Sequence, residues 1–179
     1  GKYFLEWLTD PVLNGGGAIV DFGCYGANIM TALTRGEEPE SVTAVTRQFK
    51  PDVYPRVDDE ATIIVSYPES QAIIQASWNW PFNRKDMEIY GATGYIKADN
   101  DQEMRVRSED MGQEKQKSVT AGDVDVYEDP FAYFYDVIKG NVEVEPYGLY
   151  SLENNIRVVK ILDAARQSAR TGETVIWEE

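Results

Sequence analysis

Residues 60–80 read Glu-Ala-Thr-Ile-Ile-Val-Ser-Tyr-Pro-Glu-Ser-Gln-Ala-Ile-Ile-Gln-Ala-Ser-Trp-Asn-Trp, two apolar runs about a polar turn at Pro68-Glu69-Ser70. In the first run Ala61, Ile63, Val65 and Tyr67 alternate with other residues. In the second, Ile74, Ala76, Trp78 and Trp80 share one side, and Ile73, Gln75, Ser77 and Asn79 the other. Successive strand residues point to opposite faces, so this is the period of a β-hairpin whose second strand reaches Trp80. Hairpin-linked strands pair antiparallel, and such a sheet can carry helices on one face while the other stays free for solvent or a partner.

The same signal repeats outward from this hairpin. Ser41 to Gln48 has the β-branched content of a strand, and Lys50 to Arg56, with two prolines, reads as a loop. Met87 to Tyr90 and Tyr95 to Ala98 flank Gly91-Ala92-Thr93-Gly94, and Glu103 to Arg107 pairs with Lys115 to Thr120 across a polar loop. The last third turns helical. Asp129-Pro130 is an N-cap followed by a first-turn proline; Phe131, Phe134 and Ile138 fall on one stripe, and Gly140 closes the helix. From Ser151 to Thr171 runs the longest helix, with Leu152, Ile156, Val159 and Leu162 expected inward and Gly172 as terminator, before a closing strand at Thr174 to Trp177. The sequence therefore predicts an α+β domain, a large, mostly antiparallel open sheet with helices packed on one face. No glycine cluster has the strand-turn-helix layout of a dinucleotide fold, so no Rossmann domain is expected in this piece.

Ahead of the strands, residues 14–35 carry a triple glycine, Gly15 to Gly17, running into a helical pattern that ends at Gly36. Glycines in series suit a tight turn or a close approach of backbone to a ligand. A helix over 20–35 would align Asp21, Tyr25 and Asn28 on one face and put Phe22, Gly26, Ile29 and Leu33 on the opposite, core-facing side. Gly23 and Gly26 would let it sit close to its neighbours. A carboxylate, a phenol and an amide in one row resemble a site, but plain structural roles fit as well: Asp21 as an N-cap, Tyr25 as a packing ring, Asn28 as a solvated amide.

Composition narrows the chemistry. The 179 residues are enough for one domain with its own core; the chain opens on Gly1 and an apolar, helix-like stretch at 2–8, which looks cut from a longer protein. A net charge of −14 repels phosphate backbones, so nucleic acid is not expected as a partner. The acidic runs at Glu37-Glu38, Asp58-Asp59-Glu60, 123–129 and the C-terminus are expected to be solvated loops. With no histidine, imidazole acid-base chemistry, Ser-His and Cys-His pairs and His-ligated metals are excluded. Any proton transfer falls to carboxylate, phenol or amine. The single Cys24 favours a reducing, cytoplasmic setting and reads as packed and inert. No apolar run nears the ~20 residues that span a bilayer; export of a parent protein stays open.

The run Gly-Gly-Gly-Ala-Ile-Val-Asp-Phe-Gly-Cys-Tyr-Gly-Ala-Asn at 15–28 resembles the opening of the C-terminal domain in the Gfo/Idh/MocA family of NAD(P)-dependent oxidoreductases. An Asp-x-Gly-x-His-x-x-Asp/Asn pattern is common there, and glucose-fructose oxidoreductase relatives place Tyr where others have His. Asp21, Gly23, Tyr25 and Asn28 match that tyrosine subgroup. The resemblance extends to Val57–Thr62, Gly91–Ile96, Ser151–Asn155 and Ala169–Gly172, which read mostly as scaffold.

The resemblance implies hydride transfer between NAD or NADP and a hydroxyl-bearing carbon of a sugar, polyol or related compound. The nucleotide would be bound mainly by an N-terminal domain absent here, with Gly16 and Gly17 as weak contacts. It implies Tyr25 as the proton-transfer residue, Asp21 as the group orienting a lysine or substrate hydroxyl, and Asn28 as a substrate contact. A tyrosine ordinarily ionises near ~10, so a neighbouring cation must favour the phenolate; in the family that cation is a lysine of the absent half. In Ser77 to Lys85, Trp78 and Trp80 are plates for a sugar ring or else packing or interface aromatics, and Arg84 and Lys85 are polar handles for substrate. The free sheet face is a natural homo-oligomer surface. A different class of function also stands, a non-catalytic dimerisation and carbohydrate-binding module.

Overall fold

A computed structural model describes residues 1–124, 126, 127 and 129–178. Of the acidic run 123–129, Asp125 and Glu128 lie outside the described residues, as does Glu179. The chain divides into two compact units, Gly1–Asn79 with the stretch from Glu143 onward, and Trp80–Val142.

The first unit is built on an antiparallel sheet in the order β3-β2-β1-β8, with β1 at Ser41–Arg47, β2 at Glu60–Ser66, β3 at Gln71–Ser77 and β8 at Val175–Ile176. The register sets Ala61 opposite Ala76, Ile63 between Ala44 and Ile74, and Val65 between Val42 and Ala72. Alternation makes these residues one face, and nearly all of it is buried. Helices α2 (Ala18–Asp21), α3 (Gly23–Leu33) and α5 (Leu152–Thr171) cover that face with Ile19, Ala27, Val158, Ile161, Leu162 and Ala165. On the other face Val45, Ile64 and Ile73 are exposed. A further helix, α1 (Lys2–Leu8), contains no buried residue.

Three local expectations shift. Strand β3 ends at Ser77, short of Trp80, because the Asn79 amide donates to Ser77 Oγ and the Asn79 side chain donates to Asp59; local side-chain bonds compete successfully with the ladder. The helix expected over 20–35 is two helices broken at Phe22 (φ −104°, ψ −29°). Its phase restarts there, so Gly23, Ala27 and Thr31 are buried while Phe22 and Leu33, expected inside, are exposed.

In α5 the inward stripe also differs. Leu152, Ile156 and Val159 are exposed, and Asn154, Arg157, Val158, Ile161, Ala165 and Ser168 join Leu162 inside. Three of those inner residues are polar with dedicated partners: Asn154 donates to the Tyr147 carbonyl, Arg157 to Glu38 and the Glu37 carbonyl, and Ser168 accepts from the Ala44 amide. Hydropathy cannot mark them as core. Ser151 caps the helix by accepting from the Asn154 amide, and Gly172 ends it at φ +75°.

The second unit is an antiparallel meander, β4 (Met87–Gly91), β5 (Gly94–Ala98), β6 (Glu103–Ser108) and β7 (Lys115–Ser118), followed by α4 (Pro130–Lys139). Asp129 caps α4 at the Phe131 amide and Gly140 closes it in the left-handed region. Phe131, Phe134 and Ile138 share a stripe as expected, and all three are exposed. No described residue of this unit is buried. The architecture is α+β with antiparallel pairing in every described sheet. No helix among the described residues is long and apolar enough to cross a membrane.

The glycines of the first unit serve close approach of chain to chain. A Cβ on Gly17 would lie 1.8 Å from the Asp58 carbonyl oxygen, while on Gly26 it would meet the Ile74 side chain at 2.6 Å. Backbone cannot yield as a side chain can. Gly17→Ala is therefore expected to cost about 3 kcal/mol or more in urea unfolding, against about 1–3 kcal/mol for Gly26→Ala; equal losses would show that the loop relaxes away from Asp58.

Candidate active site

The start of α2 is fastened to the start of β2 by one residue. Asp58 Oδ1 accepts from the Gly17 amide at 3.1 Å, Oδ2 from the Ile19 amide at 2.8 Å, and its carbonyl from the Ala18 amide at 3.0 Å. Burial pushes the Asp58 carboxyl above its ordinary value, against the pull of the Ile19 and Gly17 amides. The neighbouring Asp59 is fully buried. It accepts from the amides of Phe49 and Lys50 and from the Asn79 side chain at 2.8, 2.6 and 3.0 Å. Burial alone would raise Asp59; the Phe49 amide, Asn79 and the Lys50 amide together hold it below the ordinary carboxylate range. Glu60 accepts from the Ser77 hydroxyl. The run Asp58-Asp59-Glu60, expected to be a solvated loop, is instead a bonded junction joining the glycine loop, the 49–50 turn and the end of β3.

Asp21, half-buried, is the last residue of the helix that Asp58 anchors. It does not cap α3, which has no side-chain cap. Its Oδ2 accepts from the Trp78 indole Nε1–H at 2.9 Å; Oδ1 takes no hydrogen bond among the described residues. Four residues on, in α3, the Tyr25 side chain is 62% exposed. Its ring lies 6.1 Å from that of Phe22, and its hydroxyl bonds to nothing among the described residues. Tyr25 is thus no packing ring. Tyr67 makes the contrast: it is buried, and burial pushes its phenol up to about 12.

Asn28 neither lies loose in solvent nor continues an unbroken row with Asp21. Its Nδ2 donates to the Leu149 carbonyl at 3.0 Å and to Asn154 Oδ1 at 3.3 Å, tying α3 to α5 and leaving Oδ1 as its remaining polar atom. Cys24 donates to the Asp21 carbonyl at 3.3 Å, and burial followed by the Asp21 charge pushes its thiol up, against a reactive thiolate. In the glycine loop the Gly17 amide is taken by Asp58, and the Gly16 carbonyl accepts from Asn14.

Trp80, Arg84 and Lys85 belong to the second unit. The Arg84 guanidinium lies 4.7 Å from the Trp80 ring centroid and is paired with Asp86, which raises Arg84 further and lowers Asp86. Lys85 is exposed. Among the described residues no three Cys, Asp or Glu side chains converge as a metal site. Sequence reasoning missed Trp78 as a hydrogen-bond donor to Asp21, and Asp58 and Asp59 as the fastening; the Asp-Asp-Glu triplet opening an apolar strand was the available signal.

A fastened carboxylate and, four residues on, an accessible phenol are groups that can orient a hydroxyl and exchange its proton. The family model described as "GFO/IDH/MocA C-terminal domain" matches residues 2–97, more than half of the chain. The chain belongs to the GFO/IDH/MocA family. Trans-1,2-dihydrobenzene-1,2-diol dehydrogenase from Xenopus laevis is 42% identical over 82 residues, which are 46% of this chain and 24% of that protein. Among solved structures, aldose-aldose oxidoreductase from Caulobacter crescentus, complexed with glycerol, superposes at a TM-score of 0.75 and 21% identity over 96% of this chain and 50% of its own. GenD2 from gentamicin A biosynthesis, in complex with NAD, does so at 0.70 and 20% over 97% and 51%. The chain thus spans about a quarter of its curated relative and half of these solved ones, and the structural likeness shows the GFO/IDH/MocA fold.

Within this family domain the junction makes its own prediction. A carboxyl held below its unfolded value contributes fully above that value and loses the contribution as falling pH protonates it. Asp59→Asn is expected to cost about 1.5–3 kcal/mol near neutral pH, and the gap to the parent chain narrows at an acid pH below the ordinary carboxylate value. Urea unfolding of both chains at the two pH values measures it. A gap that persists at low pH would show that the charge is not what holds the 49–50 turn.

Proposed function

We propose that the chain is the substrate-binding and catalytic part of an NAD(P)-dependent oxidoreductase, moving hydride to or from a hydroxyl-bearing carbon of a sugar, polyol or related compound. The observation that carries this reading is Tyr25, open to solvent and with no hydroxyl partner among the described residues, four positions beyond an Asp21 held by Trp78. Family membership, the diol dehydrogenase relative and the NAD complex of GenD2 support it.

The described residues offer no parallel strand pair and no glycine-rich strand-turn-helix, so they do not fit a dinucleotide cradle. NAD or NADP is then held mainly by another domain of the parent; of the two glycines, Gly16 is the weak backbone contact from this chain, since the Gly17 amide is taken by Asp58 and its carbonyl by the Val20 and Asp21 amides. The nicotinamide, when bound, supplies the hydride acceptor or donor. Tyr25 takes or returns the proton of the reacting hydroxyl; Asp21 orients that hydroxyl, or the cation that favours the phenolate, through Oδ1. Asn28 accepts from a substrate hydroxyl through Oδ1. In the second unit, taken by itself, the indole of Trp80 with Arg84 over it is an aromatic plate for a sugar ring, and Lys85 is a further polar handle for substrate.

A second reading rests on the outer face of the first sheet, where Ile64 and Ile73 pair across strands, exposed, with Val45 nearby. This face is the homo-oligomer contact, and a dimerising carbohydrate-binding module would use it without catalysis.

Two measurements test these readings. Tyr25→Phe in the full-length parent is expected to lower turnover roughly 10²-fold or more with the fold intact; unchanged turnover removes Tyr25 from the mechanism and leaves the module. Ile64→Lys with Ile73→Lys is expected to halve the mass seen in sedimentation, and an unchanged mass would place the contact elsewhere.

A further inference from the structure

We propose that Trp78 is a positioning residue for the candidate site, acting through Asp21; the inference rests on the oxidoreductase reading and adds to it the device that aims its carboxylate. A carboxylate on the last residue of a four-residue helix has free rotamers and only a short element to hold it. Here one oxygen is pinned by a charge-assisted bond from the Trp78 Nε1–H at 2.9 Å. Trp78 is itself held from two other directions. Its backbone amide donates to the Asp59 carbonyl at 2.9 Å, and its ring packs on Tyr54 with centroids 4.9 Å apart at 54°.

Both ends of the pin therefore lead back to the same two adjacent aspartates. Asp58 anchors the start of the helix that ends in Asp21, and Asp59 anchors the backbone of the residue that grips Asp21. An indole N–H donates and has no acceptor. Trp78 can thus orient the carboxylate without exchanging a proton with it, and the Oδ1 of Asp21 is left as the acceptor presented to substrate or to a partner cation.

Trp78→Phe keeps a ring against Tyr54 and removes only the donor. In the full-length parent it is expected to lower kcat about 10- to 100-fold with the cofactor KM unchanged, and the double variant Trp78→Phe/Asp21→Asn should be no slower than Asp21→Asn alone, since one residue acts through the other. Losses that multiply, or a Trp78→Phe enzyme with normal kcat while Asp21→Asn is slow, would overturn the positioning role and spare the site. An Asp21→Asn enzyme with normal kcat would remove the site and this inference with it. Should Trp78→Phe fail to fold, the indole Nε1–H resonance of Trp78 in the 15N spectrum decides: it is expected to move in Asp21→Asn and to stay in Asp163→Asn, and an unmoved resonance in Asp21→Asn overturns the proposal.

Discussion

The bend at Asp58-Asp59, where β2 begins, is the constraint on which the front of the first unit depends. Two adjacent carboxylates face different ways there. One receives the amides of the glycine loop and the other those of the 49–50 turn and the side chain of Asn79. Buried charge is costly unless bonded, and the two respond differently: burial prevails over two amides at Asp58, while three donors prevail over burial at Asp59. Asp59 is the firmer anchor for a charge, and Asp58 adds its backbone carbonyl to the two bonds of its carboxylate. That backbone contact is why position 17 has no room for a side chain.

From this bend, order passes outward along hydrogen bonds as well as through the apolar core. The helix facing the sheet presents Gly23, Ala27 and Thr31, and its glycines bring backbone close to the sheet, Gly23 against Ile63 and Gly26 against Ile74. The longest helix binds its neighbours through Asn154, Arg157 and Ser168 as much as through leucine and isoleucine. Such contacts are directional. They fix the rotation of each helix about its axis, which a greasy stripe alone would leave looser, and that rotation decides that Tyr25 faces solvent while Ala27 faces the sheet.

The strands were readable because period-two alternation is a strong local signal, and Ala61, Ile63, Val65 and Ile74 lie on the face it indicates. The turn between Gly91 and Gly94 and the cap at Asp129 were readable for the same reason, each depending on residues within a few positions. Helix phase was not. A break at Phe22 resets the period, and polar residues with tertiary partners replace apolar ones on the inner side of α5, so a pattern search settles on the exposed stripe of Leu152, Ile156 and Val159. For the candidate site, the family motif singled out Asp21 and Tyr25, whereas the tie to Trp78 spans 57 positions and the grip of Asp58 on Ile19 spans 39. No local rule reaches so far.

Lack of histidine gives these ties their chemical weight. Where an imidazole could both orient and exchange protons, the proposed reading divides the two tasks between carboxylate and phenol. Tyr67 is withdrawn from acid-base work by burial, and Cys24 by burial and by the charge of Asp21. Tyr25 keeps an open hydroxyl but no internal partner to aim it. Orientation then has to come from a group that does not itself titrate in the working range, and an indole locked between Asp59 and Tyr54 is such a group. In the proposed reading the carboxylate it grips keeps one oxygen for a hydroxyl or a cation, and the exposed Tyr25 hydroxyl is the group that exchanges the proton.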